Sequence, residues 1–144
     1  MTPSEDISAL FVGTWSLVSW TATSLDGQIE YPFGEDAQGR ILYDRDGHMA
    51  AHLMRRQRTP FTSENPLDST MEECQASYRE YFSYYGSYTI QQDKKTITHH
   101  VEAASFPNWV GKDQVRNFSF SGDSLALSLA NTDGSIHTLV WKRQ

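Results

Sequence analysis

Residues 13–20 read GTWSLVSW, and this stretch decides the fold because it has the side-chain pattern of a β-strand. Alternate residues of a strand point to opposite faces, so the stretch and its continuation divide into two sets. One face carries Trp15, Leu17 and Ser19, and the other carries Val18, Trp20 and Ala22. The Asp26-Gly27 pair that follows is a turn signal, which predicts that the chain then reverses direction.

Further short strand-like segments occupy much of the remaining chain. They are residues 40–43, 48–54, 87–91, 96–102, 114–120, 125–130 and 136–142. Asp46-Gly47 lies between the first two and predicts a hairpin. The links QDKK, SGDS and NTDGS are also turn-like. Closely spaced short strands with tight turns predict a mainly β protein, an antiparallel meander closed into a barrel.

Two helices interrupt this pattern. Residues 4–11 predict a short N-terminal helix with Ser4 as its N-cap. A second helix is predicted after the third or fourth strand, beginning at Ser69 or Thr70, because each is followed three residues later by glutamate. Helical spacing then relates Met71, Cys74, Tyr78, Tyr81, Phe82 and Tyr85. Gly86 is predicted to end this helix.

Length and composition limit the class of protein. With 144 residues, the chain is predicted to form one domain over residues 1–144. A net charge of −6 argues against nucleic-acid binding. No apolar run approaches the roughly 20 residues that span a bilayer, and the first residues lack a signal-peptide pattern, so a soluble cytoplasmic protein is expected. The single cysteine, Cys74, permits no intrachain disulfide and is expected to be a buried small hydrophobe.

Four blocks of sequence occur in a fixed order. They are GTWSLVSW, YPFGEDAQGRILYDRDGHMAAHLMR, HHVEAASFPNWVGKDQVRNFSFSGDSLALS and LVWKR. Together they resemble the microbial lipocalin-like domain family, and the first contains the Gly-x-Trp pattern of calycin barrels. The resemblance covers roughly residues 10–143. It implies an antiparallel lipocalin-like β-barrel with an internal cavity and a helical segment near one end.

The same resemblance implies a structural role for Trp15. In calycin barrels this tryptophan closes one end, with a basic residue packed over it. Arg143 is the residue expected to supply that cation–π contact.

His48 and His52 share one face of a predicted strand. Four residues of strand separate their Cα atoms by about 13 Å, which is too far for one metal ion to bind both easily. Either this face points inward and offers an acid–base residue, or Met49, Ala51 and Leu53 point inward. The apolar set favours the second arrangement.

His99 and His100 are adjacent, so they point to opposite faces and cannot grip one metal ion. If the inner face is that of Ile97 and Val101, His99 is the single polar group inside. If the inner face is the other one, His100 and Glu102 line a polar cavity and form a candidate general-base pair. The sequence leaves both arrangements open.

Arg116 shares a strand face with two phenylalanines, Phe118 and Phe120. A buried guanidinium needs an anionic or multiple-acceptor partner, and Glu102 on the preceding strand is the one predicted. The FPNW loop, with Pro107 and Trp109, is expected to shape the barrel mouth.

These observations lead to a functional hypothesis. Small barrels of this kind recur in natural-product pathways, some as cyclases or isomerases and others as carriers. The chain is expected to bind a small, largely apolar metabolite and to isomerise or cyclise it without any cofactor or metal. The expected partner is this ligand, with no nucleic acid or membrane, and a homodimer is one assembly left open. The alternatives are a non-catalytic carrier or sensor, and a barrel filled by its own aromatics.

Two sets of site residues are predicted on this hypothesis. The catalytic set is His100 or His52 for proton transfer, with Glu102 and Arg116 orienting the substrate or stabilising charge. The ligand-binding set is Tyr43, Met49, Tyr84, Trp109 and Phe118.

Overall fold

Antiparallel strands follow one another around a closed barrel in the computed structural model, which describes residues 7–144. The strands are β1 (Gly13–Thr23), β2 (Ile29–Glu30), β3 (Gln38–Tyr43), β4 (His48–Met54), β5 (Tyr81–Gln91), β6 (Thr96–Ala104), β7 (Asp113–Ser121), β8 (Ser124–Ala130) and β9 (Ile136–Arg143). The helices are α1 (Ser8–Phe11), α2 (Met71–Arg79) and a short 3-10 helix, Pro107–Trp109.

Closure of the barrel comes from β1, which pairs with both β3 and β9. Each of β3 to β8 pairs with the next strand along the chain, and the two-residue β2 adds to the far end of β1. The predicted mainly β fold, with a helix inserted after the fourth strand, is confirmed. The predicted N-terminal helix is present over Ser8–Phe11, but Ile7 and not Ser4 is its N-cap, so it begins later than predicted. No helix in residues 7–144 is long and apolar enough to cross a membrane.

One end of the barrel is closed by α1 and the start of β1. Phe11 and Trp15 have no solvent exposure. The Arg143 guanidinium lies 4.2 Å from the centre of the Trp15 ring and donates to the carbonyls of Val12 and Leu10. The cation–π contact implied by the resemblance is therefore present. It fixes the last strand to the N-terminal plug.

The opposite end is bordered by the longer connections. These are residues 24–37, 55–80, 105–112 and 131–135, and they include α2 and the 3-10 helix. Thr70 and Glu73 form the capping box that begins α2, so Thr70 and not Ser69 is the N-cap. Cys74 on this helix is exposed, and the prediction that it is buried is wrong.

The predicted helix extends too far in sequence. It ends at Arg79, and the next residues form β5, which pairs with β4 from Tyr81 to Ser87. Phe82, Tyr84 and Tyr88 share the inner face of this strand, so a period of two governs the segment. Pairing with β4 and β6 outweighs the helical spacing of the same aromatics, which are also good strand formers.

A β-bulge in β1 changes the predicted division of its faces. Leu17 pairs with Trp141 and Ser19 with Val140, so Val18 is the extra residue and lies 53% exposed. After the bulge, the residues that face inward shift by one position. Trp20 therefore packs against the core, on the same side of the wall as Trp15, although strict alternation places them on opposite faces.

Candidate ligand-binding cavity

A cavity of about 210 Å³ lies inside the barrel, towards the end bordered by the long connections. Its apolar wall is formed by Ile41, Ala51, Leu53, Leu127, Leu129 and Leu139. Empty apolar cavities of about 150 Å³ accept a benzene molecule, so this one has room for an aromatic ring with small substituents. The barrel is not filled by its own aromatic side chains.

Arg116 is the charged group in this cavity. It extends from the inner face of β7 and is 8% exposed. Its Cζ lies 5.5 Å from the centre of the Trp109 ring, and its Nη1 donates to the Val115 carbonyl at 3.1 Å. Within residues 7–144 it forms no ion pair with a carboxylate. A buried guanidinium normally has an anionic partner, so the cavity contains an uncompensated positive charge.

The 3-10 helix places Trp109 over this charge. Pro107 begins the helix, where its fixed φ is favourable. The Trp109 ring packs edge-on against Tyr84 at 5.2 Å and against Phe82 at 4.9 Å. These contacts connect the β6–β7 connection to β5 and make a flat aromatic wall beside Arg116.

His99 lies between two tyrosines and joins them. Its Nε2 is 2.7 Å from the Tyr43 hydroxyl, and its Nδ1 is 2.8 Å from the Tyr84 hydroxyl. Burial, with a smaller effect of the Arg116 charge, lowers the pKa of His99 to about 3. Burial also raises the pKa of Tyr84 to about 12 and that of Tyr43 well above its usual value. All three side chains are therefore neutral at neutral pH.

His137 lines the cavity near its mouth. Its Nδ1 accepts a hydrogen bond from the Trp20 indole at 3.0 Å, so its proton is carried on Nε2. Burial lowers the pKa of His137; Asp133 opposes this effect and Arg116 adds to it. His137 is thus a neutral hydrogen-bond donor at neutral pH.

Trp141 supplies a further donor. It is 1% exposed and lines the cavity. Its Nε1–H is buried and has no hydrogen-bond partner among residues 7–144. A buried donor without a partner carries a free-energy penalty.

Three of the predicted site residues meet in this cavity: Tyr84, Trp109 and Arg116. Tyr43 does not line the cavity itself, but its hydroxyl is hydrogen-bonded to His99, which does. Met49 and Phe118 are buried but do not line the cavity. Phe118 packs against Phe11 in the closed half of the barrel, at 5.0 Å between ring centres.

The other predicted residues lie on the outside of the barrel. His100 bonds Asp113 at 2.7 Å and Thr89 at 3.0 Å, and not Glu102, which is exposed. The predicted pairing of Glu102 with Arg116 is not formed, because the two side chains lie on opposite sides of the barrel wall. His52 is exposed and bonds the Tyr81 hydroxyl at 2.7 Å. The inner face of its strand is that of Met49, Ala51 and Leu53, as the apolar pattern favoured.

Among the cavity residues whose side chains carry a polar group, sequence reasoning missed four. They are Trp20, Asn131, His137 and Trp141. The signal for two of them was present: Leu139 lies on the inner wall, and alternation along β9 puts His137 and Trp141 on the same face. Alternation could not predict that Trp20 faces the cavity, because the bulge at Val18 shifts the inward positions by one residue.

The buried neutral His99 makes stability depend on pH. In the unfolded chain its pKa is near the usual 6.5, and in the folded protein it is about 3. The unfolded state therefore binds more protons as the pH falls below 6.5, and stability is lost in that direction. Between about pH 6 and pH 5, above the carboxylate range, we expect the free energy of unfolding to fall by about 1 kcal/mol from this group.

Urea unfolding of wild type and His99→Gln at the two pH values measures this effect. Glutamine keeps one donor and one acceptor for the two tyrosines but does not titrate. In the variant, the free energy of unfolding should depend on pH only through the smaller contribution of His137. If the variant lost as much stability as the wild type between the two pH values, the pH dependence could not be assigned to His99.

The geometry defines an antiparallel barrel with a small internal cavity, apolar walls and a few inward polar groups. A model of the lipocalin-like domain family matches residues 12–144, and the chain belongs to that family. The 4'-hydroxy-3'-methoxypropiophenone carrier protein ppsC of Aspergillus oryzae is 32% identical over 98 residues, covering 64% of this chain and 83% of the relative.

Two solved structures are also similar to the chain. One is a redesigned β-barrel, with a TM-score of 0.47 and 18% identity, covering 95% of this chain and 94% of that one. The other is a de novo designed fluorescence-activating β-barrel, with a TM-score of 0.46 and 14% identity, covering 96% of this chain and 98% of that one.

Proposed function

We propose that this protein is a non-catalytic carrier of a small, largely apolar aromatic metabolite. The observation that carries the proposal is the 210 Å³ cavity, whose apolar walls surround one charged side chain that has no acidic partner among residues 7–144. Such a cavity suits one ring with oxygen-bearing substituents, because the ring fills the apolar space and the oxygens accept from the inward donors.

The chemistry of the lining supports carriage over catalysis. General acid–base catalysis works best when a side chain has a pKa near the operating pH. His99 has a pKa of about 3 and Tyr84 one of about 12, and the two are bonded to each other. No aspartate or glutamate lines the cavity in the described part of the chain. The isomerase or cyclase activity predicted first therefore has less support than the carrier alternative.

The relative supports the same choice. Its name describes it as a carrier of 4'-hydroxy-3'-methoxypropiophenone, a single aromatic ring with a ketone, a methoxy group and a phenol. A ligand of this kind has a size that suits the cavity, and its oxygen atoms can accept hydrogen bonds from the donors that line the cavity. A cytoplasmic location and a natural-product-like ligand stay predictions.

The proposal is tested by titrating the purified protein with 4'-hydroxy-3'-methoxypropiophenone and following tryptophan fluorescence. Trp20, Trp109 and Trp141 line the cavity, so a bound aromatic should quench them saturably. After long incubation, the compound should be recovered unchanged by chromatography and mass spectrometry. Conversion to an isomer would support the enzyme reading, and the absence of saturable quenching by this or any related aromatic would contradict carriage.

Filling the cavity should abolish binding without unfolding the protein. Leu129 lines the cavity and is only partly buried, so phenylalanine at this position has space to enter. We expect Leu129→Phe to weaken binding at least about tenfold, because the added ring occupies the volume of the ligand. Isothermal titration and thermal melting of the variant measure the two quantities.

Matched variants on the outer face serve as controls. Val115→Phe adds a ring to an outward position that is 53% exposed. His100→Ala and His52→Ala remove the two histidines predicted for proton transfer, which lie outside the cavity. All three should bind as the wild type does, and a loss of binding comparable to that of Leu129→Phe would place the site elsewhere.

A further inference from the structure

The polar groups that line the cavity are nearly all donors. Within residues 7–144, Arg116 has one hydrogen bond, to a backbone carbonyl, and His137 carries its proton on Nε2. The inward charge is positive, and no carboxylate of residues 7–144 lines the cavity to balance it.

The direction of the hydrogen bonds through His99 adds another donor. The Tyr43 hydroxyl is buried. Within the described residues it forms one hydrogen bond, to His99 Nε2. If it accepted that bond, its own proton would be buried without an acceptor, so Tyr43 donates to His99. A neutral imidazole has one donor and one acceptor nitrogen, hence Nδ1–H donates to the Tyr84 oxygen. The Tyr84 proton is left to donate into the cavity.

This chain of hydrogen bonds strengthens the last donor. Each donor in a series polarises the next, and the effect is larger in a low-dielectric interior. Tyr84 also lies near the Arg116 charge, which opposes the rise of its pKa. The hydroxyl is thus prepared to bond an oxygen that carries negative charge.

We propose that the cavity binds its aromatic ligand through an ionised oxygen, as a phenolate or a carboxylate, and prefers it over neutral molecules of the same shape. This inference rests on the proposed carrier function and specifies its ligand class. Arg116 supplies the balancing charge. Tyr84 and His137 are the neutral donors whose side chains line the same space, and donors aimed at an anion are worth more than those aimed at a neutral group. The titratable groups around Arg116 are Tyr43, Tyr84, His99 and His137, with Asp133 acting on His137 near the mouth.

Isosteric ligand pairs test the proposal. One pair is 4-nitrophenol and 4-nitrotoluene, which differ by hydroxyl against methyl. The other is 4-nitrobenzoate and 4-nitrobenzamide. Calorimetric titration is done near the pKa of free 4-nitrophenol, where both of its forms are present. At least one ionisable ligand should bind at least about tenfold more tightly than its neutral partner, the range expected for hydrogen bonds to a charged group.

The spectrum of bound 4-nitrophenol gives a second readout. The phenolate absorbs at a longer wavelength than the phenol, so binding should increase the phenolate band at constant pH if phenolate is the preferred form. A preference confined to 4-nitrobenzoate would identify carboxylate as the ligand group. In Arg116→Met the preference within each pair should shrink towards one.

The outcomes separate the two proposals. Equal affinities within both pairs, with bound nitrophenol in its neutral form, would overturn the oxyanion inference and leave the carrier proposal intact. Failure of all four compounds and of 4'-hydroxy-3'-methoxypropiophenone to bind would overturn the carrier proposal, and the oxyanion inference with it.

Discussion

Replacing Gly86 by alanine is expected to destabilise the protein by more than about 3 kcal/mol, a large fraction of the stability of a typical domain. A Cβ atom on Gly86 would lie 1.9 Å from the carbonyl oxygen of His100 and 2.9 Å from its carbonyl carbon. These are backbone atoms of the paired strand β6, so no side-chain rotation can relieve the clash. The strands would have to separate where Tyr84 meets His99, and ligand binding should be lost as well.

Chemical denaturation of Gly86→Ala and Gly47→Ala separates this clash from the general effect of replacing glycine. Gly47 has a φ of +92° but nothing within 4 Å of an added Cβ, so its substitution should carry only the strain of a left-handed residue, about 1 kcal/mol. Similar losses of stability in the two variants would contradict the close approach of β5 and β6.

Replacing Arg116 by methionine should change stability and binding in opposite directions. The ligand-free barrel should become more stable by about 1–2 kcal/mol, because a buried charge without an acidic partner is replaced by an apolar side chain. Affinity for an anionic aromatic should fall at least about tenfold, because its counter-charge is lost. Thermal melting without ligand and calorimetric titration of 4-nitrophenol measure the two effects.

Arg143→Met is the matched control, since Arg143 also packs over a tryptophan. At the closed end, however, its guanidinium donates to two backbone carbonyls, those of Val12 and Leu10. The variant should lose about 2–3 kcal/mol of stability because those carbonyls lose their donor, and the remaining folded protein should bind ligand normally. A destabilised Arg116→Met with unchanged affinity would make Arg116 a structural group like Arg143.

The strands and turns were predictable because their signals are local. Asp46-Gly47 lies in the predicted hairpin, where the Asp44 carboxylate accepts from the backbone N–H groups of Asp46 and His48. The capping box of α2 was predictable for the same reason, since Thr70 and Glu73 act within one helical turn.

The end of α2 was not predictable in the same way. Tyr81, Phe82 and Tyr85 are compatible with both a helix and a strand, and the aromatic period alone favoured the helix. Pairing with β4 on one side and β6 on the other decides the matter, because both strand edges gain backbone hydrogen bonds there. These two partner strands are brought beside residues 81–85 only by the closed barrel, so the local sequence does not reveal them.

The cavity was predictable only in part. Tyr84, Trp109 and Arg116 could be nominated from the sequence as aromatic or charged groups near a barrel mouth, whereas His99 remained one of two alternatives. The apolar neighbours of His99, Ile97 and Val101, gave a signal for the inner face, but Thr98, His100 and Glu102 offered an equally consistent polar lining.

The sequence by itself therefore determined where most strands and turns lie, because alternation and turn chemistry act over a few residues. Tertiary structure decided which faces point inward. The extra residue at Val18 brings Trp20 to the same side as Trp15, and a residue is extra only relative to the register of β1 against β9. It also decided that Arg116 lies inside without a carboxylate, because a charge gains or lacks a partner only when distant strands close the barrel.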